Sequence, residues 1–212
     1  MIEVSNLTFA YTNAAAPVLR DFSAGFERGE IVALTGKNGC GKTTLTKLLV
    51  GLLRPSSGRV AVDESDIGPM DLFAIGKRVG YVFQNPNRQL FCETAYEEVA
   101  YGVRKLGKNE ADTETIVNRH LERFGLTRYR GIFPGKLSLG EKQRLVLAAI
   151  LALGTSYLVL DEPTTGLDAG RRAELGETLL QTRGELNCGI IVAGHDEAFF
   201  ARYADRELVM AK

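Results

Sequence analysis

The sequence lacks a surplus of either charge. Its 212 residues carry 26 Lys+Arg against 26 Asp+Glu, so no broad basic surface is available to displace the counterions of a duplex. Nucleic acid is therefore not an expected partner. Cysteine is scarce: Cys40, Cys92 and Cys188 are odd in number, far apart and without a C-x-x-C pair. That argues against a disulfide framework and for free thiols in a reducing, cytoplasmic compartment. No apolar run approaches the ~20 residues that cross a bilayer. The opening MIEVSNLTFAY has no basic segment leading into an apolar one, so it does not read as a signal peptide. Repeats, low-complexity segments and long linkers are missing too. The length predicts one domain, 1–212, at roughly 100–200 residues per domain.

Glycine is what the sequence has in excess, with 23 of 212 residues against an average near 7%. The glycines punctuate an alternation of strands and helices. Ile2 to Phe9 alternates apolar and polar residues, as a strand with one wet face does, and a second strand is expected at Val18–Phe26. Ile31–Leu34 is continuously apolar, like a strand buried on both faces. It runs into a glycine-rich loop, after which Leu45, Leu48, Leu49 and Leu52 recur at helical spacing until Gly51 and Pro55 close the helix.

Further strands are expected at Arg59–Val62, Val79–Phe83, Tyr157–Leu160, Ile190–Ala193 and Glu207–Met210. Helices are expected near Leu72–Lys77, Gly140–Leu153, Ala169–Leu186 and Glu197–Tyr203. From Glu93 to Phe124 the pattern is helical and charged, broken by Gly102 and Gly107. The alternation predicts an α/β fold with a mainly parallel sheet core and an N-terminal antiparallel β part. A helical lobe at about residues 84–152 is inserted between core segments 1–83 and 153–212.

Gly36-x-x-x-x-Gly41-Lys42-Thr43 fits the P-loop pattern, with the required strand before it and helix after it. Glycines let the backbone curl so that successive N–H groups, here from Asn38, Gly39, Cys40, Gly41 and on to Thr44, point at phosphate oxygens. The helix N-terminus adds partial positive charge. Lys42 reaches the β/γ-phosphates and the Thr43 hydroxyl ligates Mg²⁺ in such loops. Asp161, ending the apolar run Leu158-Val159-Leu160, is expected to supply the carboxylate that P-loop enzymes use to hold Mg²⁺, usually through its bound waters rather than directly. Glu162 beside it is placed to orient or deprotonate an attacking water. ATP and Mg²⁺ are the expected cofactors.

Leu137-Ser138-Leu139-Gly140-Glu141-Lys142-Gln143-Arg144 resembles the signature of ATP-binding-cassette (ABC) ATPases. The order P-loop, Gln84, signature, Asp161-Glu162, Thr165-Gly166-Leu167-Asp168 and His195 is similar to that of the whole family. The resemblance implies that Tyr11 stacks on adenine, though a strand-end aromatic packed on a loop is the alternative. It implies that Gln84 senses Mg²⁺ and the water, that Glu162 is the catalytic carboxylate and that His195 contacts the γ-phosphate. His195 also stands where a histidine could cap a helix. Asp168 would form a contact across a dimer, and Ser138 with the Gly140 N–H would reach the ATP held by the other subunit. Water-excluding closure of two copies, homo- or heterodimeric, is then a condition for hydrolysis. His120 and the run Arg171-Arg172-Ala173-Glu174 are expected on solvated helix faces.

Two departures from the family pattern L-S-G-G-Q stand in the signature, Leu139 and Glu141. Leu139 restricts the backbone, and a negative Glu141 near the nucleotide opposes phosphate unless it points away. They predict slower hydrolysis, relieved by Gly and Gln at those positions. Cys40, at a helix N-terminus, predicts a thiol whose alkylation ATP blocks.

Phe83-Gln84-Asn85-Pro86-Asn87-Arg88-Gln89-Leu90-Phe91 and Glu97-Glu98-Val99-Ala100-Tyr101-Gly102 resemble the Q-loop region of energy-coupling-factor (ECF) importers of cobalt, nickel, biotin and other vitamins. That resemblance implies a transmembrane coupling protein and a substrate-binding membrane component as partners, with the chain peripheral at the cytoplasmic face of the membrane. The alternative for Leu90, Phe91 and Val99 is lobe core. Many ECF ATPases continue into an extension that helps hold the dimer, whereas this sequence stops soon after Met210. Either dimerisation depends on ATP or a partner subunit, or the chain is half of a tandem protein. A conventional ABC transporter ATPase and a soluble non-transport ABC ATPase are the alternative readings, and a small-molecule P-loop kinase is a third class.

Overall fold

Alternating and continuous apolar runs become two different sheets. The computed structural model describes residues 1–12 and 16–211. In chain order the elements are β1 (Ile2–Phe9), β2 (Leu19–Phe26), β3 (Ile31–Thr35), α1 (Lys42–Leu49), β4 (Ser57–Val62) and β5 (Ser65–Asp66). Next come α2 (Leu72–Gly76), β6 (Val79–Val82), α3 (Ala95–Lys105), α4 (Glu110–Arg123) and α5 (Leu139–Leu151). The chain closes with β7 (Tyr157–Asp161), α6 (Ala169–Leu186), β8 (Gly189–Ala193), α7 (Glu197–Tyr203) and β9 (Arg206–Val209). Two compact units result, Met1–Tyr81 with Ser156–Lys212, and Val82–Thr155.

In the first unit, β1 pairs antiparallel with β2 and β4, with Ile2 opposite Phe26 and Val62, in the order β2-β1-β4-β5. The second sheet has the order β6-β7-β8-β3-β9, and β3 is parallel to β8 and β9, as β7 is to β8. Every residue of β7 and β8 is buried, the physical reason their sequences are continuously apolar. Ile2, Phe26, Leu34, Leu45, Leu48 and Tyr157 belong to one core cluster. The loops that follow β3, β7 and β8 leave the carboxyl ends of parallel strands, where open α/β sheets place their ligands.

In the second unit, α3, α4 and α5 pack on one another. Each starts on a side-chain cap that accepts a backbone N–H: Thr94, Asn109 and Ser138. Two expectations fail here. Gly102 does not break the helix but lies inside α3, where a Cβ would stand 2.6 Å from Leu153 Cδ2. Close packing, not a turn, requires it. His120 is not on a solvated face. It is partly buried, its Nδ1 lies 2.9 Å from the Ile116 carbonyl oxygen, and burial lowers its pKa. The two-residue β5 had no sequence signal of its own.

Candidate functional site

The glycine loop after β3 takes its shape from residues with no Cβ. Gly36, Gly39 and Gly41 have φ of 137°, 80° and 103°, a region costly for other residues. At Gly36 a Cβ would also stand 2.6 Å from the Met210 carbonyl oxygen. Lys42 closes the loop, Nζ donating to the Gly36 carbonyl at 2.8 Å, and only 7% of the residue is exposed. Asn38 and Gly39 are exposed at the loop's crest. Cys40, in contrast, is 3% exposed and part of the core cluster. That burial goes against the expectation of ready alkylation.

Thr43 and Thr44 begin α1 and point to different partners. Thr43 Oγ1 donates to Asp161 Oδ1 at 3.0 Å, uniting loop and strand end across 118 residues of sequence. Thr44 Oγ1 is 3.1 Å from the Tyr11 hydroxyl. The Tyr11 ring packs edge-on against Phe9, centroids 4.9 Å apart, and still leaves the residue 43% exposed. Both readings of Tyr11 thus have a physical counterpart: a strand-end contact and an open aromatic face beside the loop.

Asp161 is buried, and burial pushes its carboxyl above its ordinary pKa, opposed by hydrogen bonds from Thr43 and Tyr81. The Tyr81 hydroxyl donates to Asp161 Oδ2 at 3.2 Å. Burial raises the Tyr81 phenol, which stays protonated and able to donate. Nothing in the sequence singled Tyr81 out; an aromatic in a strand reads as packing.

Glu162 has φ of 51°, a strained conformation for a non-glycine residue. Its N–H donates to the Ala193 carbonyl at 2.8 Å, which ties the turn to β8. Oε2 meets His195 Nδ1 at 2.8 Å. His195 does not cap the following helix: Asp196 does, accepting from the Phe199 N–H at 3.0 Å. Asp168 caps α6 by accepting from the Arg171 N–H at 2.9 Å, and it is exposed. Arg171, Arg172 and Glu174 are exposed as expected.

The second unit holds Gln84, Ser138 and Gly140. Gln84 is exposed, just past β6. Ser138 caps α5, and Gly140 lies in its first turn. Glu141 completes a capping box: Oε2 accepts from the Ser138 N–H at 2.7 Å, and the Glu141 N–H donates to Ser138 Oγ at 3.4 Å. Oε1 accepts from the Tyr129 hydroxyl. These bonds, the Tyr129 one foremost, hold the Glu141 carboxyl down at about 2. Its carboxylate is thus committed to the helix start. Lys142 Nζ donates to Asn87 Oδ1 at 2.9 Å, joining the signature helix to the segment after Gln84. Neither Tyr129 nor the Lys142–Asn87 pair stood out in the sequence, because both join residues far apart in it.

An apolar cavity of about 170 Å³ opens in the same unit, lined by Leu90, Phe91, Tyr101, Val146, Ile150 and Leu153 among others. Phe91 is 68% exposed and stacks edge-on with Tyr101, whereas Val99 is fully buried. The stretch therefore divides between surface and lobe core. No helix among the described residues is long and apolar enough to cross a membrane.

Residues 19–165 match the ABC transporter family. A candidate ABC transporter ATP-binding protein of Pyrococcus furiosus is 43% identical, the match covering 100% of this chain and 80% of that one. The energy-coupling factor transporter ATP-binding protein EcfA of Methanothermobacter thermautotrophicus is 40% identical over 99% of this chain and 68% of its own length. The solved structure of cbiO1 from Clostridium perfringens, part of the ABC transporter complex cbiONQ, superposes with a TM-score of 0.90 at 33% identity, covering 99% of this chain and 84% of that one. With the P-loop, the strand-end carboxylates and the capped signature helix in place, the chain belongs to the ABC transporter family of ATPases.

Proposed function

We propose that the chain binds ATP with Mg²⁺ between two copies of its fold, homo- or heterodimeric, and that the closing and opening of this dimer power an ECF-type importer for a metal ion or a vitamin. The observation that carries the reading is the gathering of Lys42, the Thr43–Asp161 pair and the Glu162–His195 pair in one unit.

In this reading the N–H groups from Asn38 to Thr44 and the Lys42 ammonium receive the phosphates, and Tyr11 stacks on adenine. Glu162 takes the proton of the attacking water, and His195 orients Glu162 and contacts the γ-phosphate. Ser138, the Gly140 N–H and Asp168 serve the site shared with the other copy, and Gln84 senses the ion and the water. Thr43 and Asp161 offer hard oxygen donors of the kind Mg²⁺ takes. Phosphate oxygens would complete the coordination of such an ion. When bound, Mg²⁺ neutralises charge on the phosphates.

The EcfA relative and the cbiO1 neighbour support the ECF assignment and a place at the cytoplasmic face of the membrane. The cavity beside Phe91 and Tyr101 supports a transmembrane coupling protein as partner, with a substrate-binding membrane component beyond it. Purification of the tagged full chain from native membranes tests this. Co-purification of a polytopic membrane protein, with ATP turned over and no phosphorylated product, is expected. A phosphorylated small molecule, or a chain that never leaves the soluble fraction with a membrane partner, refutes it.

A further inference from the structure

We propose that Tyr81 is a positioning residue for the Asp161 carboxylate, fixing the oxygen that Thr43 does not hold and so setting how strongly Mg²⁺ improves ATP binding. The proposal rests on the reading of Asp161 as the carboxylate that holds the ion.

Asp161 offers two oxygens at the end of β7. Oδ1 accepts from Thr43 Oγ1 at 3.0 Å, and Oδ2 accepts from the Tyr81 hydroxyl at 3.2 Å. The nearby Thr46 hydroxyl commits its proton to the Thr43 carbonyl at 2.9 Å and lies 3.4 Å from the Tyr81 oxygen. Of the carboxylate and the neutral Thr46 hydroxyl, the carboxylate forms the charge-assisted and stronger bond with Tyr81.

The donor is also held in place. Tyr81 belongs to β6, the neighbour of β7 in the sheet, and its ring packs against the core cluster. An aspartate without this bond would be held at Oδ1 alone, and Oδ2 would lose its donor in a buried place. Tyr81 touches neither nucleotide nor reacting atoms in this account. It acts through Asp161, as residues behind ligating carboxylates do.

The test compares ATP affinity in Mg²⁺ with affinity in EDTA, by equilibrium dialysis of labelled ATP against the full chain in the cold. Tyr81→Phe removes one oxygen and keeps the ring. The ratio of the two affinities is expected to fall about fivefold, with metal-free binding within about twofold of the parent. Asp161→Asn should collapse the ratio, and Tyr81→Phe added to it should change nothing further. A parallel weakening of both affinities in Tyr81→Phe indicates a packing role and overturns the proposal. So does an unchanged ratio in Tyr81→Phe beside a collapsed one in Asp161→Asn, which leaves the reading of Asp161 standing. An unchanged ratio in both variants overturns that reading and the proposal together.

Discussion

His195 Nδ1 lies 2.8 Å from Glu162 Oε2, although 33 residues separate them and each follows a different strand. On the proposed reading Glu162 is the base and His195 the second group that holds it, and orientation then matters as much as basicity. Glu162 is held from behind as well, through its N–H to Ala193 and the Thr165 hydroxyl at 3.3 Å from Oε2. Glu162→Gln keeps the shape and removes the proposed base. ATP turnover should fall by at least ~100-fold while ATP binding survives. His195→Ala leaves the base but frees its rotamer, and turnover should fall by about tenfold to a hundredfold with little change in affinity. Steady-state hydrolysis beside equilibrium ATP binding checks both, and a large loss of binding in Glu162→Gln would refute the assignment.

Glu141 gives a pH-dependent prediction about the signature helix. Its carboxyl is lowered from 4.5 to about 2 by Tyr129 and the Ser138 N–H. A depressed carboxyl contributes stability above its unfolded pKa and loses it as pH falls through the folded one. The contribution is therefore complete above about pH 5 and declines toward pH 2. Glu141→Gln should lower the thermal midpoint at pH 7, and the gap from the parent should narrow as the pH is taken from 5 toward 3. Melting curves across that range decide it.

The cysteines should be poor nucleophiles in the native protein. Cys40 and Cys188 are buried, and burial pushes the Cys188 thiol up to about 12. Cys92 is partly exposed, but burial and the neighbouring Glu98 raise it to about 11. The thiolate reacts, so alkylation of Cys92 should be slow at pH 7.5 and rise about tenfold per pH unit toward 10. Cys40 and Cys188 should stay unmodified until the chain is unfolded. Mass spectrometry of iodoacetamide-treated protein reads each site. Rapid labelling of Cys40, blocked by ATP, would contradict the buried geometry.

Legibility in the sequence followed the range of the interactions. The P-loop and the buried strands were readable because each is encoded in a few consecutive residues: glycines that permit a turn and apolar runs with two buried faces. Gly102 misled because a glycine chosen for close approach to Leu153 looks, in sequence, like one chosen for a turn. His120 misled because charged neighbours on its own helix said nothing of what covers it. The bonds of Tyr81 to Asp161, Tyr129 to Glu141 and Lys142 to Asn87 were beyond reach for the same reason. Each depends on register and packing between elements, and no local pattern carries that information.

Gly176 lies inside α6, where its missing side chain admits Tyr203 of α7. A Cβ there would stand 2.3 Å from Tyr203 Cε2, far inside contact distance. Tyr203 has little room to yield: it is 4% exposed, its ring centroid is 4.9 Å from that of Phe199, and its hydroxyl lies 3.4 Å from the Ala173 carbonyl. Helix propensity alone would make Gly176→Ala stabilising by up to about 1 kcal/mol. Overpacking in a tight contact costs about 1–3 kcal/mol and should win, so the variant is expected to lose stability. Tyr203→Leu vacates the space at its own cost, and in that background Gly176→Ala should be neutral or stabilising. Urea denaturation of the four proteins in the cycle measures the coupling. Additive losses would mean that the ring and the glycine do not compete for the same space.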